Sequence, residues 1–263
     1  MRKYITLAKL AMQAAIAYRM SFLINMLGGM FFIIAMFYLW EAIYQGKPVI
    51  VNFTWEQMKT YLFVAYLSNS LLSFYSEGKI GGRIRSGEVA IDLLKPLNFQ
   101  RARFAETIGT SVIEGGLTVV LMVGLAIVFE GVQLPTHALT WVYFIISMLG
   151  AVVIKFGVVY LFALCCFYTD SVYGISLARA AVTNLFSGAL VPFAFLPGWL
   201  NSLCEVLPFK GIVYVPSMIY LEQLNGSALW QAIGEQFLWA AGLWILGTLL
   251  YSRAVRQVTI YGG

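Results

Sequence analysis

The sequence predicts an all-α, polytopic membrane fold, and three observations carry that reading. Of 263 residues, 60% are hydrophobic and only 11% charged, against roughly 25% charged in a typical soluble domain. The apolar residues collect in segments of about 20, the length that crosses a bilayer. The charges collect between those segments. Thirteen of the 17 basic residues (Arg2, Lys3, Lys9, Arg19, Lys79, Arg83, Arg85, Lys95, Arg101, Arg103, Arg179, Arg253 and Arg256) fall on one set of alternating connections. Lys47, Lys59 and Lys210 fall on or toward the other set, and Lys155 lies inside an apolar segment. Basic residues stay on the cytoplasmic side. The bias therefore predicts six spans with both termini cytoplasmic.

Taken in order, residues 1–19 form a basic amphipathic stretch. Arg2, Thr6, Lys9 and Gln13 recur at helical spacing, with Ile5, Leu7, Met12 and Ile16 elsewhere around the wheel, as in a helix lying in the membrane interface. The start, MRKYITLAKL, lacks the compact apolar run and cleavage site of a signal peptide. The first span covers about residues 20–44 and ends in an aromatic belt of Trp40 and Tyr44. The second covers about 55–74. Residues 77–106 then form a loop too polar for lipid, holding six basic residues. Its middle, 87–95, predicts a short helix stopped by Pro96, because the residue before proline avoids the helical region. Glu88, Asp92 and Lys95 share one face of it, and Val89, Ile91, Leu93 and Leu94 cover the rest. Two readings of it stand: a docking knob for a soluble partner, or a solvated loop with one turn of helix.

The third span covers about 104–129 and contains Glu114. The fourth, about 141–168, contains Lys155 and is long enough to require tilt or protrusion. Residues 170–179 read as a tight inner turn and 175–190 as the fifth span. Pro192, Pro197, Pro208 and Pro216 then forbid one straight helix. Residues 191–231 nevertheless stay apolar, which predicts short broken helices on the external side, packed against protein. The sixth span covers about 232–251. The whole chain, 1–263, reads as a single permease-like domain.

No nucleotide-binding loop, zinc-protease helix or nucleophile elbow occurs, so the chain offers no catalytic set. Three cysteines (Cys165, Cys166, Cys204) make no disulfide framework, and one histidine, His137, makes no metal cluster. The net charge of +5 fits inner loops meeting anionic lipid and does not call for nucleic acid. Glu114 and Lys155 are the intramembrane charges. They read as a structural ion pair, a substrate path, or groups that snorkel to the interface. The external aromatics Phe193, Phe195, Trp199 and Phe209 form either an interfacial belt or a gate over an apolar ligand.

This order of features resembles the type-2 ABC exporter permeases. The local pieces SGEVAIDLLKPLNF (86–99) and VPFAFLPGWLNSLCEVLPF (191–209) are similar to the bacterial subgroup of small permeases that work with a separate ATPase. The resemblance implies a half-transporter in the bacterial inner membrane. It would pair with a second permease chain, identical or paralogous, and with an ABC ATPase subunit. ATP and magnesium would be bound on that subunit, with no cofactor on this chain. Substrate would be exported at the dimer interface. The resemblance makes the short helix Gly87–Lys95 the coupling element, with Glu88, Val89, Ile91, Asp92, Leu93, Leu94 and Lys95 at the contact. The rival reading from the residues alone is an ion-coupled secondary transporter using Glu114, which the lack of a visible inverted repeat disfavours.

Overall fold

The computed structural model describes residues 2–17, 19–70, 72, 76–169 and 171–257. Among these the chain is helical almost throughout. The helices are α1 (Arg2–Ala17), α2 (Arg19–Tyr44), α3 (Trp55–Ser70), α4 (Ser76–Arg85), α5 (Val89–Leu93), α6 (Phe99–Val128), α7 (Ala138–Leu164), α8 (Val172–Phe186), α9 (Gly198–Val206), α10 (Tyr214–Tyr220) and α11 (Gly226–Ala254). A two-residue hairpin, β1 (Val49–Ile50) with β2 (Phe53–Thr54), joins α2 to α3. Its turn residues Val51 and Asn52 have φ of 47° and 65°. The tight turn requires this left-handed pair, which is awkward for a β-branched valine.

Four helical stretches are long and apolar enough to cross a membrane: Leu23–Tyr44, Phe99–Val128, Ala138–Phe167 and Gly226–Ala254. The predicted second and fifth spans correspond to shorter helices. α3 has 16 residues and α8 has 15, about 24 and 22 Å at 1.5 Å per residue, below the ~30 Å of a hydrocarbon core.

The connections depart from the sequence reading in several places. The loop 77–106 contains a second helix, α4, and α6 begins at Phe99 rather than near 104. Asn98 caps α6 by accepting from Arg101 N at 3.0 Å, satisfying one of the first-turn amides that a helix leaves unpaired. The stretch expected as an inner turn at 170–179 is helical from Val172, with Ser171 capping it through Gly174 N at 3.1 Å. Asp170 lies outside the described residues. The proline-rich region is broken as the prolines demand. A 3-10 turn (Phe193–Phe195), α9, a second 3-10 turn (Pro208–Gly211) and α10 follow one another, with Pro197 and Pro208 at helix starts where a missing N–H costs nothing. That region ends at Gly226, where α11 begins, and not at 231.

α7 is the hub. It buries 67% of its apolar window, against 17–28% for the other three candidate spans. It packs on α11, α10, α4 and α8. At one end of the stack, Phe156, Tyr160 and Ala163 of α7 form a core with Ile80, Ile84, Val89 and Phe99. At the other, Phe144 and Met148 pack with Val215, Ile219 and Ile233. Elsewhere large apolar side chains such as Phe31, Val120, Ile127 and Leu238 stand exposed, which suits helices surrounded by lipid or a partner better than water.

α1 follows the first half of α6, running in the same direction. Asn98 N donates to Tyr4 Oη at 3.2 Å, and the Ala8 backbone presses on Gly109, where a side chain would have no room.

Candidate functional site

Two places collect polar chemistry in this apolar stack. The first is the α4–α5–α6 corner. Gly87, at φ +75°, closes α4: Gly87 N donates to Ile84 O at 3.2 Å and Ser86 N to Gly82 O at 2.8 Å, the left-handed termination that glycine supplies without strain. The chain turns straight into α5. Val89 is fully buried among Ile80, Ile84 and Phe99. Asp92 turns inward with it. Its carboxylate meets Arg83 Nη1 at 3.2 Å, Lys95 Nζ at 2.9 Å and Arg103 Nη2 at 3.5 Å, and Arg103 also reaches Glu106 at 3.0 Å. Burial pushes the Asp92 carboxyl up, but the Lys95 hydrogen bond and the charges of Arg103, Arg83 and Lys95 outweigh it and hold the group below its ordinary range.

This corrects the outward charged edge drawn from the sequence. Glu88 stays exposed, 3.8 Å from Arg83, whereas Asp92 is an internal tie between three elements. Ile91, Leu93 and Leu94 are 58%, 53% and 86% exposed and face outward, while Val89 is buried. The reason lies in residues distant in the chain: cations from α4 and α6 bracket Asp92 and set the roll of α5.

The second place is the seam between α3, α7 and α8. Lys155 is buried on α7, and its ammonium donates to the backbone carbonyl of Asn69 and, at 3.4 Å, to Asn69 Oδ1. Asn69 is the penultimate residue of α3, so Lys155 serves one of the carbonyls left unpaired at a helix C-terminus, where positive charge is favoured. The ion pair with Glu114 suggested by the sequence is therefore replaced by a lysine cap. Glu114 is buried on α6, and its carbonyl accepts from Thr118 Oγ1 at 2.9 Å.

Asn69 Nδ2 donates to Asn184 Oδ1 of α8 at 3.2 Å, and this amide pair separates two cavities. One, of about 360 Å³, is mainly apolar and runs along α2 past Gly28, Phe32 and Met36 to Ala189 and Leu190. The other, of about 200 Å³, is lined by Ser70, Lys155 and the buried Arg179, and shares Asn69 and Asn184 with the first. Asn69, Asn184 and Arg179 were not singled out in the sequence as site residues. The signal that could have found the two asparagines is a polar residue near the end of a short apolar helix.

The aromatics of the proline-rich region divide. Phe193 is buried and stacks on Tyr214 (4.3 Å between centroids, 9° between planes). Phe195 meets Trp40 edge-on at 5.0 Å, and Phe209 lies 6.1 Å from Phe186. These three are packed into the fold. Trp199 is 72% exposed, on the same side of α9 as Leu203 and Val206. A contact not anticipated from the sequence ties this end together. The Glu222 carboxylate accepts from Thr136 Oγ1 (2.6 Å), His137 N (3.0 Å) and Thr140 Oγ1 (2.8 Å), which holds its carboxyl down at about 2.

Compared with known proteins, residues 13–262 match the family model described as ABC-2 family transporter protein. No curated protein matches the chain. The match spans nearly the whole length and agrees with the long apolar helices; the chain is a multi-pass membrane protein that belongs to the ABC-2 transporter family, the membrane-embedded permease component of ABC transporters.

Proposed function

We propose that the chain is one half of an ATP-driven exporter in the bacterial inner membrane, pairing with a second permease chain and powered by a separate ABC ATPase that carries the ATP and magnesium. α3 and α8 complete six crossings with α2, α6, α7 and α11, and both termini are cytoplasmic, in keeping with the distribution of basic residues. The apolar side chains left exposed on α2, including Leu27 and Phe31, suit contact with the second permease or with lipid. Substrate passes at the interface between the two permeases.

The observation that carries this reading is the Asp92 tie. An external ATPase can drive a permease only through a contact that differs between its nucleotide states and is stiff enough to move a span. α5 is braced for the second of these and exposed for the contact. It offers Ile91, Leu93 and Leu94 outward, and Asp92 links it to Arg83 of α4 and Arg103 of α6. Glu88 and Lys95 form the polar rim, and single changes there are mild because exposed ion pairs contribute about 1 kcal/mol or less.

The test is co-purification and transport with Leu93→Asp. The variant inserts and pairs normally, retains less ATPase and loses transport. Full ATPase retention with normal transport removes α5 as the coupling element.

A further inference from the structure

The N-terminal helix leaves a space beside it. α1 lies along the first half of α6, yet none of its described residues is buried. Between α1, α4 and α6 is a cavity of about 390 Å³, room for more than a bare anion. Its α1 wall is apolar, made by Leu7, Leu10 and Ala11. The rest is cationic: Lys79 and Arg83 of α4 and Arg103 of α6 line it, against the carboxylate of Glu106. A side chamber of about 120 Å³ shares Arg83, Arg103 and Glu106, and adds Lys95 and Asp92. Across the two chambers four cations meet two carboxylates. Even with the exposed Glu88, 3.8 Å from Arg83, the cations stay in excess. Lys79 is exposed and takes part in no ion pair among the described residues. The planar fork of arginine and the point charge of lysine both suit phosphate. The cavity also lies in the most basic part of the chain, of the kind that meets anionic phospholipid headgroups.

The geometry points to a resident site for one anionic phospholipid beside α1, its phosphodiester held by Lys79, Arg83 and Arg103 and the start of its acyl chains against Leu7, Leu10 and Ala11. Arg83 and Arg103 also hold Asp92, so the lipid belongs to the α4–α5–α6 corner and not to a translocation path. The site needs only a membrane protein, which the family match shows, and is independent of the exporter reading.

The experiment is native mass spectrometry of the full, detergent-solubilised chain, titrated with dioleoylphosphatidylglycerol or dioleoylphosphatidylcholine. The two lipids have the same tails and phosphate, but only the first has a net charge. The first molecule of phosphatidylglycerol binds about tenfold more tightly than phosphatidylcholine or better, since each basic residue near an anionic headgroup contributes about fivefold in affinity. Lys79→Gln breaks no ion pair among the described residues and lowers that preference about fivefold. Lys79→Arg keeps it. Arg85→Gln, an exposed change on the same helix but outside the cavity, leaves it unchanged. Arg83 and Arg103 are left intact, because their loss would also free Asp92. Equal binding of the two lipids, or a preference that survives Lys79→Gln, overturns the site. A loss with Arg85→Gln as large as that with Lys79→Gln also overturns it, because the attraction would then be diffuse. Glycerol 1-phosphate and inorganic phosphate carry the anion without tails and do not displace the lipid at equal concentration. Displacement by either would mean that the apolar wall plays no part and the site takes a bare anion, which again overturns the inference. No ATPase enters these measurements, so the exporter reading and this site can fail separately.

Discussion

Two polar seams cross the apolar stack, and they differ in how completely their hydrogen-bonding groups are used. Between α7 and α11, Gln236 is 2% exposed. Its amide nitrogen donates to Gly211 O at 2.7 Å and Ser147 O at 3.3 Å, and its oxygen accepts from Ser147 Oγ at 2.9 Å. Glycines close the seam around it. A side-chain carbon at Gly157 would lie 2.8 Å from Leu243 Cβ, and one at Gly211 2.7 Å from Ile154 Cδ1. Between α3 and α8, the Asn69–Asn184 bond stands between two cavities. The same kind of residue is thus fully enclosed in one seam and beside open space in the other. What separates them is whether neighbouring groups or an open cavity take up the remaining donors and acceptors.

The strongest way to break this comparison is at Gln236. Gln236→Leu leaves Gly211 O and the Ser147 groups buried without their partner, and each such group costs about 1–3 kcal/mol. Denaturant unfolding of the solubilised chain should register a loss of about 3 kcal/mol. Asn184→Leu removes one hydrogen bond beside open space, so the same measurement should register about 1 kcal/mol or less. If the two variants destabilise equally, the distinction between the seams is wrong.

Gly157→Val is the next test. It forces a branched side chain against Leu243, and overpacking of this kind costs about 1–3 kcal/mol. Gly28→Val on α2 meets no atom and should leave the unfolding midpoint nearly unchanged. A shift at Gly28 as large as that at Gly157 would mean the α2 chamber is not open in the membrane.

Glu222 extends the criterion to the α7–α10 end of the stack. Its carboxylate is saturated, so it belongs with the structural groups. Its folded-state pKa of about 2 lies below the ordinary 4.5. A depressed carboxylate contributes stability that is present in full above the unfolded value and lost as pH falls through the folded one. Hydrogen-exchange protection across residues 129–137, taken relative to the free-chain rate at each pH, should therefore hold above pH 5 and fall as the pH drops from about 4.5 toward 2. Glu222→Gln should flatten that dependence. The smallest effect is at Val51, whose left-handed backbone suits asparagine better. Val51→Asn should stabilise by about 0.5–1 kcal/mol, with no effect on either seam.

Much of this architecture could be read along the chain, and the misreadings follow a pattern. The long apolar segments that became α2, α6, α7 and α11, and the prolines that break 191–225, act through local hydropathy and local backbone geometry. Each declares itself within a few residues. α4 went unread because EGKIGGR combines glycine with charge and looks like loop. Its helix is held by Ile80 and Ile84 packing on α7, a contact no local window contains. Asn98 carried an N-cap signal for the early start of α6, which the conspicuous charge of Arg101 and Arg103 masked.

The roles of the polar residues were decided only in three dimensions. Sequence marked Lys155 and Glu114 as intramembrane charges, yet Lys155 meets Asn69, 86 positions away. Asp92 looked like an outward edge until Arg83 and Arg103 closed on it. Glu222 gave no sign of its role, because its three donors lie 82–86 positions earlier. Hydropathy and helix breaking are properties of short stretches of chain, so the sequence by itself determined a mainly helical membrane protein and its proline-broken stretch. A hydrogen bond or ion pair is a property of two groups at contact distance, and which groups reach contact is decided by how the helices pack.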